Sequence, residues 1–271
     1  MAVDVPARSR PAPLLALTQV RYQLLLLLRS PLGFFITAVI PVLLMVSLNV
    51  ITPSVAAHVP GGLRYAQFLT PAISAFCLLN ACYVTTITSI VLAREEGILK
   101  RLRGTPLPAW TYLAGRSGSA LVTALVSVGI IVATGVVFFH VTIVWQAMGY
   151  FAAAAGLGMV CFFLLGVAVT VAVPKSDTAL PVAFGTMLPL AFISDVFFSS
   201  VHAPPWLHHV ASVFPVAPVA RAMEAAFNPA THSWPMPVSG LLVVLSWSLA
   251  AALVIALAFR WEPGSVRWRA R

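Results

Sequence analysis

The densest group of ionisable residues in the chain falls in one short segment. It holds two acids followed by three bases, in this order: Glu95, Glu96, Lys100, Arg101 and Arg103. Acids before bases suit the dipole of a short helix, which favours negative charge at its start and positive charge at its end. No catalytic constellation or metal-ligand spacing accompanies the group, so we predict neither a catalytic residue nor a metal site. The chemistry that remains is recognition, by a charged contact surface.

Apolar residues in the same segment lie on one side of the predicted helix. Ile98, Leu99 and Leu102 follow the spacing of one helical face. Gly104 and Pro106 then end the pattern. We therefore predict a short amphipathic helix at the cytoplasmic surface. The alternative is an ordinary basic loop that only sets the topology of the chain.

The order of residues in this segment resembles the cytoplasmic signature of the ABC type-2 permease family. The matching positions are Arg94-Glu95-Glu96-Gly97-Ile98-Leu99, Arg101-Leu102, Thr105-Pro106-Leu107, Trp110, Tyr112, Leu113 and Arg116. Lys100 departs from the pattern, since the family often has an acidic or neutral polar residue there. The resemblance implies that residues 94–106 form a coupling helix, which docks on a separate ABC ATPase subunit. The implied contact residues are Glu95, Glu96, Gly97, Ile98, Leu99, Arg101 and Leu102.

The composition identifies the kind of protein that positions this segment. The chain has 271 residues, of which 60% are hydrophobic and only 8% are charged. No water-soluble domain needs so much apolar surface, so we predict an all-α, multi-pass membrane protein with one transmembrane domain over residues 1–271. The net charge of +9 is explained by basic cytoplasmic segments, so no nucleic-acid partner is predicted.

Apolar runs predict six transmembrane helices. They cover residues 32–51, 69–92, 114–139, 146–173, 178–199 and 238–260. An amphipathic pattern at residues 14–29 predicts an elbow helix lying in the membrane interface, as the resemblance also implies. Residues 200–237 are too apolar for a free loop and too broken for a span. They predict a re-entrant or interfacial helical pair on the extracellular side.

The distribution of basic residues predicts the orientation. With both termini in the cytoplasm, fourteen of the 16 Lys and Arg residues lie inside, and only Arg64 and Arg221 lie outside. Such an excess of inside charge is the usual signature of topology. We therefore predict a protein of the bacterial inner membrane, embedded in the lipid bilayer, with cytoplasmic N- and C-termini.

The second predicted span carries a stripe of small and hydroxyl residues. Its members recur at spacings of three and four: Thr70, Ser74, Cys77, Ala81, Thr85 and Thr88. One interpretation is a wall of the substrate path, or the seam between two permease subunits, with Thr70, Ser74, Ala81, Thr85 and Thr88 as its residues. The other interpretation is plain packing, because small residues let membrane helices approach closely.

These features predict a permease subunit of an ATP-driven exporter for hydrophobic drug-like or lipid-like cargo. The chain has no phosphate-binding loop, so ATP and Mg are expected on the partner ATPase and no cofactor on this chain. A second copy, or a related permease, is expected to complete the path. Alternatives are export of polysaccharide or glycolipid, a secondary ion-coupled carrier, or a membrane-anchored assembly factor. The ion-coupled carrier is disfavoured because the spans lack midplane charges.

Overall fold

The computed structural model describes residues 39–51, 64–97, 109–194, 205–228 and 236–258, and these parts are helical. Their α-helices are α1 (Ile40–Ile51), α2 (Tyr65–Glu95), α3 (Ala109–Phe139), α4 (Met148–Val169), α5 (Ser176–Ile193), α6 (Pro205–Val213), α7 (Val216–Ala226) and α8 (Val238–Ala258). A π-helical turn, Asn80–Val84, lies within α2, and a short 3-10 helix, Trp145–Ala147, precedes α4.

Five of these helices, α2, α3, α4, α5 and α8, are long and apolar enough to cross a membrane. They correspond to the second to sixth predicted spans. The fifth prediction, 178–199, extends too far, because the helix ends at Ile193. The fourth, 146–173, also ends early, since residues 170–172 form a turn after Val169. Of the first predicted span only α1 is described, and the elbow segment 14–29 lies outside the described residues.

Helix α2 is the centre of the described bundle. In its most apolar window 78% of the residues are buried, against 11% in α8. Its polar side chains tolerate this burial because they bond within the helix. The Thr70 hydroxyl donates to the Ala66 carbonyl at 2.8 Å, and the Ser74 hydroxyl donates to the Thr70 carbonyl at 2.8 Å. Such bonds satisfy a hydroxyl without a partner from another helix.

Helix α4 packs closely against α2 because Gly166 has no side chain. A Cβ at this position would lie 3.0 Å from the Tyr83 carbonyl oxygen and 3.2 Å from that of Cys82. Both carbonyls belong to the π-helical turn of α2. Glycine at helix contacts lets two backbones approach in this way, so the contact depends on the residue type at position 166.

The two ends of the bundle can be named by their polar contacts. At one, the Gln67 end, the Gln67 amide donates to the Thr142 carbonyl at 2.7 Å and to the Phe227 carbonyl at 2.9 Å. The same side chain accepts from the Thr142 backbone N–H at 3.0 Å. One amide thus joins the start of α2 to the α3–α4 connection and to the end of α7.

Helices α6 and α7 form a hairpin within the segment predicted to hold a helical pair. The tip of the hairpin contacts Trp247, the tenth residue of α8. The indole N–H donates to the Val213 carbonyl at 2.7 Å, and the indole stacks on Phe214 with ring centroids 5.8 Å apart. Helix α7 returns to the Gln67 end, where Phe227 packs edge-on against Phe151 of α4. Helix α7 is therefore part of the core, whereas Trp206, Val210 and Val213 of α6 are exposed.

Candidate functional site

The candidate site lies at the opposite end of α2, the Arg94 end. Here the sequence prediction needs correction: Arg94 and Glu95 form the last turn of α2, not the first turn of a separate helix. The helix ends because Gly97 adopts a positive φ of 69° and its N–H bonds back to the Arg94 carbonyl at 3.2 Å. Glycine is the usual residue in this left-handed position after a helix.

The guanidinium of Arg94 binds the end of α4. Its Nη1 donates to the Thr170 carbonyl at 2.9 Å, and its Nη2 lies 3.4 Å from the Thr170 hydroxyl. A longer contact of 3.5 Å reaches the Val173 carbonyl. The last carbonyls of a helix lack partners in the helix and carry partial negative charge, so a buried cation is favourable there. The side chain is only 6% exposed.

The carboxylate of Glu95 binds the start of α5. It accepts a hydrogen bond from the Ser176 backbone N–H at 2.8 Å. Ser176 is the first residue of α5, and the preceding Lys175 supplies no side-chain cap. The first N–H groups of a helix need an acceptor, and negative charge is favourable beside them. Glu95 therefore serves as the cap that the sequence before α5 lacks.

Two adjacent residues thus hold two other helix ends, and we call this arrangement the Arg94–Glu95 clasp. Arg94 binds the end of α4, and Glu95 binds the start of α5. A second tie lies deeper in the bundle, where the Tyr83 and Thr186 hydroxyls are 2.8 Å apart and join α2 to α5. A force applied to the chain just after Gly97 is therefore transmitted through α2, and through its polar contacts to α4 and α5.

Comparison with known proteins adds the identity of the family. The model of the ABC-2 type transporter family matches residues 16–228 of this chain. The chain belongs to the ABC-2 type transporter family. The sequence resemblance is thereby confirmed. Since five helices of its described part are long and apolar enough to cross a membrane, the chain is a multi-pass membrane protein of that family.

Two relatives of this ABC-2 chain come from Escherichia coli strain K12. The "Probable multidrug ABC transporter permease YbhR" is 26% identical over 156 residues, which cover 57% of this chain and 42% of YbhR. The "Inner membrane transport permease YadH" is 24% identical over 195 residues, which cover 69% of this chain and 75% of YadH. The match thus spans less than half of YbhR and most of YadH.

Only some of the coupling residues predicted for this ABC-2 chain are described, because the described range that contains them ends at Gly97. Glu95 and Glu96 are exposed, and Gly97 forms the turn that ends α2. Ile98, Leu99, Arg101 and Leu102 lie outside the described residues. The contact of Glu95 with Ser176 is a partner within the chain that the sequence did not predict. Docking of the segment on an ATPase stays a prediction.

The predicted stripe of α2 divides into two parts. Thr70, Ser74 and Ala81 are fully buried inside the single chain. Thr85 and Thr88, nearer the Arg94 end, are half-buried, and their hydroxyls donate to the Ala81 and Val84 carbonyls of their own helix. The first part packs against other helices of this chain, and only the second part has surface left for another molecule.

Sequence reasoning missed the internal roles of Gln67 and Arg94. One signal was available, since both are strongly polar residues that adjoin an apolar run. Their partners could not be read from the sequence, because the bonded residues are 75 to 160 positions away. Among the described residues, no three His, Cys, Asp or Glu side chains lie close enough together to hold a metal ion.

Proposed function

We propose that this chain is the transmembrane permease subunit of an ATP-driven ABC exporter. The observation that carries the proposal is the position of the Arg94–Glu95 clasp, at the start of the segment 94–106 that resembles a coupling helix. A permease without a phosphate-binding loop must receive energy from an ATPase through a surface contact. The chain after Gly97 is suited to this, because it leaves a helix whose end is bonded to two others.

In this proposal residues 94–106 transmit the motion. Ile98, Leu99 and Leu102 fill a cleft on the ATPase, while Glu96 and Arg101 lie at its rim. ATP and Mg bind to the ATPase, whose closure pushes the segment. The clasp passes the displacement to α2, α4 and α5 together, because Arg94 and Glu95 bond to the turn between α4 and α5. Glu95 thus acts inside the permease as well as beside the ATPase contact.

We further propose the arrangement in the membrane. Both termini lie in the cytoplasm, so the Arg94 end is cytoplasmic and the Gln67 end faces outward. The α6–α7 hairpin is then re-entrant from outside, which its tip contact with Trp247 supports. With an elbow helix at 14–29 and a first span at 32–51, the chain forms one domain with six spans. Two permease copies, or this chain and a paralogue, form the complete path.

The proposed cargo is a hydrophobic drug-like or lipid-like molecule. The name of YbhR includes "multidrug", which supports this choice. Half-buried Thr85 and Thr88 are the stripe residues that we propose to face the path or the seam, with Thr70, Ser74 and Ala81 behind them. Large side chains are excluded there if another helix approaches closely.

A pair of substitutions in the coupling segment tests the proposal. Leu99→Asp places a charge in the ATPase contact and should abolish both co-purification with the ATPase and transport, because burial of an unpaired charge is costly. Lys100→Ala, at the next residue, should leave both nearly unchanged, because rim charges carry little binding energy. The chain is co-expressed with a candidate ABC ATPase partner, and the amount of each variant in the membrane is the control. If Leu99→Asp still binds the ATPase and transports cargo, the segment only sets topology and the proposal is wrong.

A further inference from the structure

A cleft of about 540 Å³ lies between the α6–α7 hairpin and α8. We call it the Arg221 cleft. The residues that matter for its chemistry are Ser212, Arg221, Ser239, Gly240, Val243 and Trp247. None of them belongs to the Arg94–Glu95 clasp or to the stripe of α2. The cleft therefore requires a separate explanation.

The cleft runs along α8. It is lined by residues from Ser239 to Trp247 on that helix, which at 1.5 Å per residue corresponds to about 12 Å. This length is close to the thickness of one hydrocarbon leaflet, which is about 15 Å. The cleft therefore has the length of a lipid tail segment rather than that of a small ion.

Its cation and its largest apolar side chains lie at different depths. A Cβ at Gly240, near the start of α8, would lie 3.2 Å from Pro218, so these two residues are level with each other. Arg221 follows Pro218 by about one turn of α7, toward Phe227 at the Gln67 end. Val243 and Trp247 line the deeper part. The cleft thus has a cation near its mouth, and below it the side chains of Val243 and Trp247 together with the hydroxyls of Ser212 and Ser246.

The cleft is open toward the surroundings of the bundle. Val213 on its rim is 57% exposed, and Ser212 and Ser239 are exposed as well. On other faces of α8, Leu242 and Leu249 are also exposed, as expected for a helix that contacts lipid. A molecule in the outer leaflet could therefore enter sideways, without passing through the bundle.

We propose that the Arg221 cleft binds one anionic phospholipid of the outer leaflet. Arg221 binds the phosphate, and one acyl chain lies along α8 as far as Trp247. A guanidinium has five N–H donors in a planar fork that suits phosphate oxygens, so lipid binding is compatible with the contacts that Arg221 makes within the chain. A basic pocket between helices is a recognised form of headgroup site. The site is distinct from the proposed cargo path, so it can exist whether or not the chain exports lipids.

The full chain is placed in nanodiscs of phosphatidylcholine to which phosphatidylglycerol is added. The protein is then released from the nanodiscs, and native mass spectrometry measures the lipid that stays bound to it. The unchanged protein should retain one phosphatidylglycerol per chain in preference to phosphatidylcholine. Arg221→Gln should weaken this binding about tenfold or more, because a charge-assisted hydrogen bond is lost. Arg64→Gln, which removes the other predicted outer arginine, should leave it unchanged.

A second pair of variants tests the apolar part without touching the charge. Val243→Trp fills the cleft and should displace the lipid, whereas Leu245→Trp, on an exposed face of α8 that does not line the cleft, should not. This pair decides the question if Arg221→Gln fails to fold. Equal lipid binding by both members of either folded pair would overturn the proposal. So would full competition by inorganic phosphate, or a second copy of the chain covering the cleft and excluding lipid.

Discussion

Replacing Arg94 with methionine tests the clasp, because it keeps a long apolar stem and removes the guanidinium. Only the 2.9 Å bond to the Thr170 carbonyl has normal length, since the contacts of 3.4 and 3.5 Å exceed the usual range. A hydrogen bond to a charged group contributes about 1.5–3 kcal/mol, and a cation at a helix end about 0.3–1 kcal/mol. Removing the buried charge also removes its desolvation cost, which offsets part of this loss. The net loss in the free energy that holds the end of α4 is then about 2 kcal/mol.

Hydrogen exchange at the end of α4 measures this loss directly. The Val171 and Ala172 amides donate to the Ala168 and Val169 carbonyls, at 3.1 and 3.0 Å, in the turn that Arg94 holds. If the turn opens locally, a loss of about 2 kcal/mol should speed their exchange about thirtyfold. Arg64→Met, at the Gln67 end, should leave these amides unchanged.

The same experiment can refute the reasoning. If Arg94→Met changes the exchange of Val171 and Ala172 by less than about threefold, the clasp contributes too little to hold α4. A change of equal size in amides throughout α3 and α8 would also count against it, because that pattern reports global destabilisation rather than release of one turn. In Arg94→Lys these two amides should exchange at a rate between those of the unchanged protein and Arg94→Met, since an ammonium retains the charge but loses the forked geometry.

Three further predictions concern other contacts of α2. Ser176→Pro should sever the Glu95 bond without breaking α5, since proline suits the first helical position and Lys175 is extended, so transport should fall at unchanged expression. Ser176→Ala keeps the N–H and loses only the hydroxyl contact with Glu95, so transport should fall less. Gly166→Ala should lower thermal stability in detergent by about 1–3 kcal/mol through overpacking against the π-helical turn, whereas Gly156→Ala, which has open space, should not. Gln67→Leu should cost about 2–4 kcal/mol, because backbone groups of Thr142 and Phe227 lose their partner; unchanged melting would contradict this.

The helices of the chain could be predicted from the sequence, because each long apolar run has the length of a span. The second to sixth predicted spans all coincide with described helices. Their ends were less accurate: α2 begins at Tyr65 and ends at Glu95, outside the predicted 69–92. Polar residues at both ends of α2 bond to distant parts of the chain, so hydropathy alone placed the boundaries too far inward.

The candidate site could be predicted only in part. The signature identified the family, because that depends on residue order, whereas the coupling role of the segment stays a prediction. The predicted start of the coupling helix was wrong for a physical reason. An acid is favourable at the positively charged start of a helix, and Glu95 does bind such a start, but it is the start of α5 and not of a helix that begins at Glu95. Local sequence shows the preference of a side chain, and only the fold shows which partner satisfies it.

The π-helical turn Asn80–Val84 has a consequence for the phase of α2. An α-helix advances about 100° per residue, so a turn that holds one more residue than usual rotates everything after it by about that angle. With a regular α-turn instead, Arg94 and Glu95 would point away from Thr170 and Ser176. The azimuth of the Arg94 end is thus set in the middle of the helix. Deleting one residue between Asn80 and Val84 would leave a regular α-turn and keep both side chains engaged, whereas deleting one residue between Thr85 and Leu92 would rotate both away from their partners.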